Sequence, residues 1–339
     1  MTRLVSLLAL IALPTISFAG PKPIKVFILA GQSNMEGKAK LAVAEYQAQQ
    51  PATRDLYKHL YRDGKWIERK DVWIKYLKVH GNLTAGYGNP RSIGPELEFG
   101  TVVGDRYDEQ VLLIKTAWGG RSLWRDFRSP SAGFPADKLL EKMLADMKKK
   151  TPTATIDDVK KPFGFAYRDM MTEVKGTLAN LAMYFPDYAG QGYELAGFIW
   201  FQGWNDMINA DATAEYTANL KHFIRDVRKD LKVAKLPFVV GEMGVDGVKA
   251  GPNVVRFKKA QSAVMDEAEF KGNVALVKTD AFWDLEAEAV FKKGWRENLD
   301  EWNKLGSDFP YHYLGSPKTM LRIGRAFGEA VLELRGEKR

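Results

Sequence analysis

The hydrophobic pattern alternates between two periods. Short, continuous apolar runs occupy residues 24–30, 110–115, 195–201, 236–240 and 274–277, rich in Val, Ile and Phe. Runs of that length and composition predict strands buried on both faces. Between them the apolar positions recur every three or four residues, predicting helices over 94–107, 168–184, 211–230 and 252–267. A last helix is expected to begin at Ser316-Pro317, a capping residue followed by proline at the first helical position. Its apolar positions Met320, Ile323, Phe327 and Val331 share one face. Strand and helix in alternation predict an α/β fold, a three-layer α/β/α sandwich around a mostly parallel five-stranded sheet. Residues 38–92 and 121–165 are poor in clear sheet strands. They read as insertions over the rim of a single domain spanning 20–339.

The N-terminus departs from this pattern. Arg3 precedes an apolar stretch from Leu4 to Leu13, followed by a Ser17-Phe18-Ala19 ending. That order predicts a secretory signal, residues 1–19, cleaved after Ala19. No later run approaches the ~20 apolar residues of a membrane helix, so no stable membrane insertion is expected once the leader is gone. The reading places the mature chain in the periplasm or outside the cell.

Composition narrows the chemistry. The chain has 339 residues, a net charge of +8 and no cysteine, which excludes a thiol nucleophile and thiolate metal sites. Its basic residues are scattered among acidic ones, so nucleic acid is not an expected partner, while attraction to anionic polysaccharide fits. No histidine pair has metal-ligand spacing, and Gly241-Glu242-Met243-Gly244 lacks the lysine of a phosphate loop. No metal or cofactor is expected.

In a parallel sheet, ligands bind beyond the carboxyl ends of the strands. There the chain carries Gly31-Gln32-Ser33-Asn34, Trp118-Gly119-Gly120-Arg121, Gln202-Gly203-Trp204-Asn205-Asp206 and Gly241-Glu242. A hydroxyl, close backbone N–H groups and side-chain amides are the parts of an acyl-transfer site. The base must come from His59, His80, His222 or His312. His312 stands in a turn just before the last helix, where it can be aimed at a strand end. Each residue also has a plainer reading. Gly119-Gly120 by itself is an ordinary turn, Gln202 a satisfied buried amide, and Trp118, Trp124 and Trp204 packing residues. Arg121 reads first as the partner of a nearby acid and second as a binder of a sugar carboxylate.

Taken together, the motifs resemble the SGNH (GDSL-like) hydrolase superfamily, in the branch of sialate O-acetylesterases and acetylxylan-type carbohydrate esterases. The matching segments are Gly31 to Met35, Ile93 to Gly100, Gly119-Gly120, Trp200-Phe201-Gln202-Gly203 and His312. The resemblance implies a flavodoxin-like fold and a cofactor-free serine esterase that deacetylates carbohydrate through an acyl-enzyme. It implies Ser33 as nucleophile and His312 as base. The N–H groups of Ser33 and of Gly119 or Gly120, with the Gln202 amide, are the implied oxyanion donors. Asn34 shapes the nucleophile turn, and Trp118, Arg121, Trp204 and Asp206 are candidates for substrate contact. Two positions depart from the pattern. Phe309 stands where relatives carry an aspartate, with Asp308 one residue earlier, and Trp204 replaces a common glutamate. The triad acid is therefore Asp308, Asp206 or a backbone carbonyl. Those departures also motivate a second reading, a carbohydrate-binding protein that lost catalysis. A third, an esterase of non-sugar esters, fits less well with flanking blocks rich in Trp, Arg and Asn.

Overall fold

A computed structural model describes residues 21–337. The expected leader, residues 1–19, lies outside the described residues. The main sheet has seven strands: β1 (Ile24–Gly31), β2 (Arg69–Tyr76), β3 (Val79–Leu83), β4 (Val111–Ala117), β5 (Tyr193–Phe201), β6 (Phe238–Glu242) and β7 (Val274–Lys278). Their order is β7-β6-β5-β1-β4-β2-β3, parallel except for the β2–β3 hairpin at one edge. β1 is central and fully paired, which is why its run tolerates no exposed polar face.

The sheet corrects the five-stranded expectation: β2 and β3 come from the 38–92 segment, read from sequence as an insertion over the rim. Charge masked them. β2 opens on Arg69, Lys70 and Asp71, and its Lys75 is buried where Val or Ile would have announced a strand. That lysine is held by the Leu77 carbonyl and by Glu173 at 3.0 Å, so the segment is a strand without reading as one. Segment 121–165 adds no strand. It packs a small separate core of Trp124, Leu140, Val159 and Phe163 against Ala212.

Alternation along the strands sends side chains to two helical layers. Phe198 and Trp200 face Phe223 on α3 (Ala210–Asp230), and Tyr167 on α2 (Phe165–Ala179) meets the same ring. On the opposite face Phe27 meets Phe99 on α1 (Glu96–Gly104), and Phe201 meets Phe327 on α5 (Pro317–Leu334). The fifth of these helices, α4 (Pro252–Ser262), lies beside α3 and packs Phe257 on Tyr216. α1 and α5 approach closely at Gly324, where a Cβ would stand 2.2 Å from the Pro95 carbonyl oxygen. Pro317 opens α5 as expected, but Ser316 does not cap it. Its hydroxyl donates to Asp284 at 2.6 Å, tying the helix start to a neighbouring loop.

Candidate active site

Three polar knots begin at one point of the sheet. Gly31, the last residue of β1, is paired with Ala117 on β4 and Phe201 on β5. The strand ends are drawn so tight there that a Cβ on Gly31 would lie 2.1 Å from the Phe201 carbonyl oxygen. Only glycine allows this approach. The chain then enters a single helical turn, Ser33–Glu36, with Gln32 before it. Ser33 is nearly buried, and neither its hydroxyl nor its N–H has a hydrogen-bond partner among the described residues. A hydroxyl held at a strand end beside an unpaired N–H has the form of a nucleophile with its first oxyanion donor.

The residues that hold this turn were not all foreseen. Gln32 accepts the Gly203 N–H at 3.0 Å through Oε1 and donates Nε2 to Asn205 Oδ1 at 3.3 Å. Glu36 accepts the Gly119 N–H at 2.8 Å and pairs with Lys38 at 2.7 Å. Beneath the turn, the buried Lys115 ammonium donates to the carbonyls of Glu36 and Tyr87 and to Glu96, each at 2.8 Å. Burial pushes the Lys115 pKa down, against the pull of Glu96. The Glu96 of the Gly-Pro-Glu motif is thus the counter-ion of a lysine under the Ser33 turn.

These bonds correct two of the implied oxyanion donors. The Gly119 N–H is already given to Glu36. Gln202 spends both amide hydrogens, on the Arg121 carbonyl at 3.0 Å and on Asp206 at 2.5 Å, and accepts the Tyr216 hydroxyl. Gly120 remains available: its N–H has no partner among the described residues, and its φ of +70° favours glycine. Asn205 is the amide that sequence reasoning passed over. Its oxygen is fixed by Gln32, so its Nδ2 is the free end. Its signal was in the third knot, a side-chain amide two residues after a strand-end glycine.

His312 comes to this end of the sheet through a loop that closes on itself. Leu314 accepts the N–H groups of Ser307 and Asp308, and Phe309 accepts those of His312 and Leu314. Tyr313 and Leu314 take left-handed backbone angles, φ +52° and +59°. Such strain costs about 1–3 kcal/mol per residue and persists only where surroundings enforce it. Here the buried Tyr313 hydroxyl holds the Gly244 N–H at 2.8 Å and Thr279 at 2.6 Å. Asn34, next to Ser33, donates to the carbonyl of Tyr311, next to His312, at 3.1 Å. One hydrogen bond therefore joins the two expected catalytic segments across nearly the whole chain.

The loop also separates the two candidate acids. Asp308 Oδ1 stands 3.0 Å from His312 Nδ1, close enough to pair but off the line of a well-formed hydrogen bond. Burial pushes the Asp308 carboxyl up, yet His312, the Phe309 N–H and Lys38 together hold it below the ordinary carboxylate range. Asp206 is fully buried and takes the N–H groups of Leu123 and Trp124 at 2.8 Å, besides Gln202. It anchors the 121–128 loop to the sheet. Burial pushes its pKa up to about 7 against those bonds.

The other candidates divide similarly. Trp204 is half-buried, its ring 5.5 Å from Tyr311, which in turn meets His312 at 4.5 Å. Trp118 turns inward to Phe127, and Trp124 donates to Glu215 within the small core. Arg121, read first as one half of an ion pair, has no acid partner among the described residues. Its guanidinium lies over the Phe165 ring at 4.9 Å. His59 pairs with Glu98 at 2.8 Å, His222 with Ser131 at 2.8 Å, and His80 packs on Tyr184 and Phe185.

A family model described as carbohydrate esterase, sialic acid-specific acetylesterase, matches residues 23–289. The chain belongs to that family. The match takes in the Ser33, Gly119-Gly120 and Gln202–Asp206 segments and ends before His312. No curated protein matches the chain in sequence. Among solved structures, a protein from Arabidopsis thaliana is similar at 16% identity and a TM-score of 0.53, over 91% of this chain and 98% of that one. A carbohydrate acetylesterase from Xanthomonas citri is similar at 14% identity and a TM-score of 0.51. That match covers 92% of this chain and 57% of the other. At such identities the likeness concerns the fold, and it agrees with the α/β sandwich of this family member.

Proposed function

We propose that this carbohydrate esterase family member removes O-acetyl groups from sugars by a two-step serine mechanism. The supporting observation is the Asn34–Tyr311 bond, which fastens the Ser33 turn to the His312 loop. His312 takes the Ser33 proton as the hydroxyl attacks the acetyl carbonyl, and returns it to the departing sugar alkoxide. Water then attacks the acetyl-serine with the same imidazole as base, releasing acetate. The oxyanion is received by the N–H groups of Ser33 and Gly120 and by Asn205 Nδ2. Asp308 orients the imidazole and stabilises its protonated form. The leader sequence motivates export, so the substrates in reach are acetylated polysaccharides and glycoconjugates outside the cytoplasm. N-terminal sequencing of the chain recovered from the periplasm or medium should begin at Gly20, and a chain retaining residues 1–19 there would overturn cleavage.

The test of catalysis is rapid mixing with an aryl acetate, with acetate release from acetylated glycans as the second assay. The wild-type chain should show a burst of one acyl group per molecule. Ser33→Ala should abolish the burst, and both Ser33→Ala and His312→Ala should lower kcat by several orders of magnitude with folding preserved. A wild type that binds glycan but releases neither the aryl alcohol nor acetate would instead establish the non-catalytic reading.

A further inference from the structure

The Ser33 turn ends on a carboxylate whose charge works against the chemistry proposed for it. Glu36 Oε1 accepts the Gly119 N–H at 2.8 Å, and a Cβ on Gly119 would stand 3.3 Å from Oε2. The carboxylate thus comes one helical turn after Ser33 and meets the residue before Gly120, whose own N–H has no partner among the described residues. There it fixes the Gly119-Gly120 loop, but its charge opposes a second negative charge growing on the substrate. The cations around it show how that charge is balanced. Lys115 lies below and donates to the Glu36 carbonyl, yet its charge is committed to Glu96 at 2.8 Å. Among the described residues, Lys38 alone forms an ion pair with Glu36, at 2.7 Å, and both side chains are largely buried. Glu36 Oε2 is buried without a hydrogen bond, so the ammonium meets it as a charge and not as an aligned donor.

Lys38 is itself held in place. Its carbonyl lies 3.4 Å from the Ser307 hydroxyl, which accepts the Lys40 N–H at 3.2 Å. Ser307 precedes Asp308, whose carboxyl Lys38 also helps to hold low. One ammonium therefore serves the acid of the Ser33 turn directly and that of the His312 loop at longer range. We infer that Lys38 is a positioning residue: it neutralises Glu36, so that Glu36 can fix the Gly119-Gly120 loop without repelling the oxyanion. An ion pair on the surface contributes little, but this one is largely out of water, where an unbalanced charge is poorly screened. The inference rests on the serine esterase reading for its kinetic readout and not for its binding readout.

The test measures kcat and KM for an aryl acetate in the wild type, Lys38→Met, Glu36→Gln/Lys38→Met and Glu36→Ala/Lys38→Met, with urea midpoints on the same preparations. Lys38→Met should lower kcat by about 10–100-fold, the order of one unbalanced charge beside a developing anion. KM should hardly move, because the ester is neutral until the transition state. Adding Glu36→Gln removes the charge and keeps an acceptor for the Gly119 N–H, so kcat should recover by about fivefold or more over Lys38→Met. Adding Glu36→Ala removes charge and acceptor together and should bring no such recovery. Lys38→Gln replaces Lys38→Met throughout if the latter does not fold. A Lys38→Met kcat within about twofold of wild type, a loss that Glu36→Gln does not relieve, or equal recovery with Glu36→Ala overturns the inference. If the wild type cleaves no ester, the esterase reading falls, and acetate alone is titrated by NMR against the Ser33 and Gly120 amide signals. Acetate binding weakened by about fivefold or more in Lys38→Met and recovered with Glu36→Gln supports the assignment. No binding, binding unchanged by Lys38→Met, or weakening that Glu36→Gln does not reverse overturns it.

Discussion

Gln202 and Asn205 are both amides at the end of β5, and they do opposite jobs. Gln202 has every polar atom engaged, bridging Arg121, Asp206 and Tyr216. Asn205 has one end held by Gln32 and the other free. Removing the first should therefore unfold, and removing the second should disable. Asn205→Ala is expected to lower kcat by about 10²–10³-fold, as for loss of one oxyanion donor, with its denaturation midpoint close to wild type. Gln202→Ala is expected to cost about 1–3 kcal/mol of stability by stranding buried partners. Urea titration and acetate release on the same preparations check both. A Gln202→Ala chain that is stable but inactive would reverse the two roles.

At the level of elements, the two acidic residues differ by what their loops do. Asp308 belongs to the closed turn that presents His312, whereas Asp206 closes the 121–128 loop onto the sheet. Asp308→Asn should lower kcat by up to about 10⁴-fold, because the imidazole loses its orienting charge, with modest effect on stability. Asp206→Asn should chiefly destabilise. The pH dependence separates them further. With a folded pKa near 7 and an unfolded value near 3.8, Asp206 binds more protons in the native state between those values. Its contribution to stability is full below about pH 4 and falls as pH rises toward 7. The stability gap between wild type and Asp206→Asn should shrink over that interval in denaturant titrations. Asp308, held below its ordinary value, acts oppositely and contributes stability that is lost as pH falls through its folded pKa. Legibility in the sequence followed the same division. Four inner strands, β1, β4, β5 and β6, were visible because burial on both faces leaves continuous apolar runs, and β7 was visible because its Val274–Val277 run is apolar although it lies at the sheet edge. β3 was not, since an edge strand carries polar residues, and β2 was not, since it opens on charged residues and buries Lys75 against the Leu77 carbonyl and Glu173. Ser33, His312 and Asp308 were candidates from motif and order, and the fold brings their segments to one end of the sheet. The engagement of Gly119 and Gln202, the free amide of Asn205 and the isolation of Arg121 depend on side chains from three other segments, which no local pattern encodes.

For the molecule as a whole, the site is fixed by charge placed beneath it as much as by the sheet. Lys115 enters from the middle of the fold, on β4, and is fully buried against Glu96 on α1, with the Tyr76 ring 4.6 Å from its ammonium. Two of its three donors go to carbonyls, one of them that of Glu36 at the end of the Ser33 turn. A buried ion pair is weak evidence for net stability, yet removing one partner costs about 3–5 kcal/mol because the other is left charged in the interior. Lys115→Met should therefore destabilise the chain by that order, and Glu96→Gln by somewhat less, since the lysine keeps its carbonyl partners. In the double variant no charge is stranded, so its loss should be smaller than the sum of the singles. Activity should not recover with it. The Glu36 carbonyl still lacks its donor, and the turn carrying Ser33 is no longer held from below. Denaturant titration of the four chains gives the coupling, and the acyl burst reads the turn. A double variant that regained both stability and a full burst would show that the pair only fills space and that Ser33 is positioned by the other contacts of its turn, those of Gln32, Asn34 and Glu36.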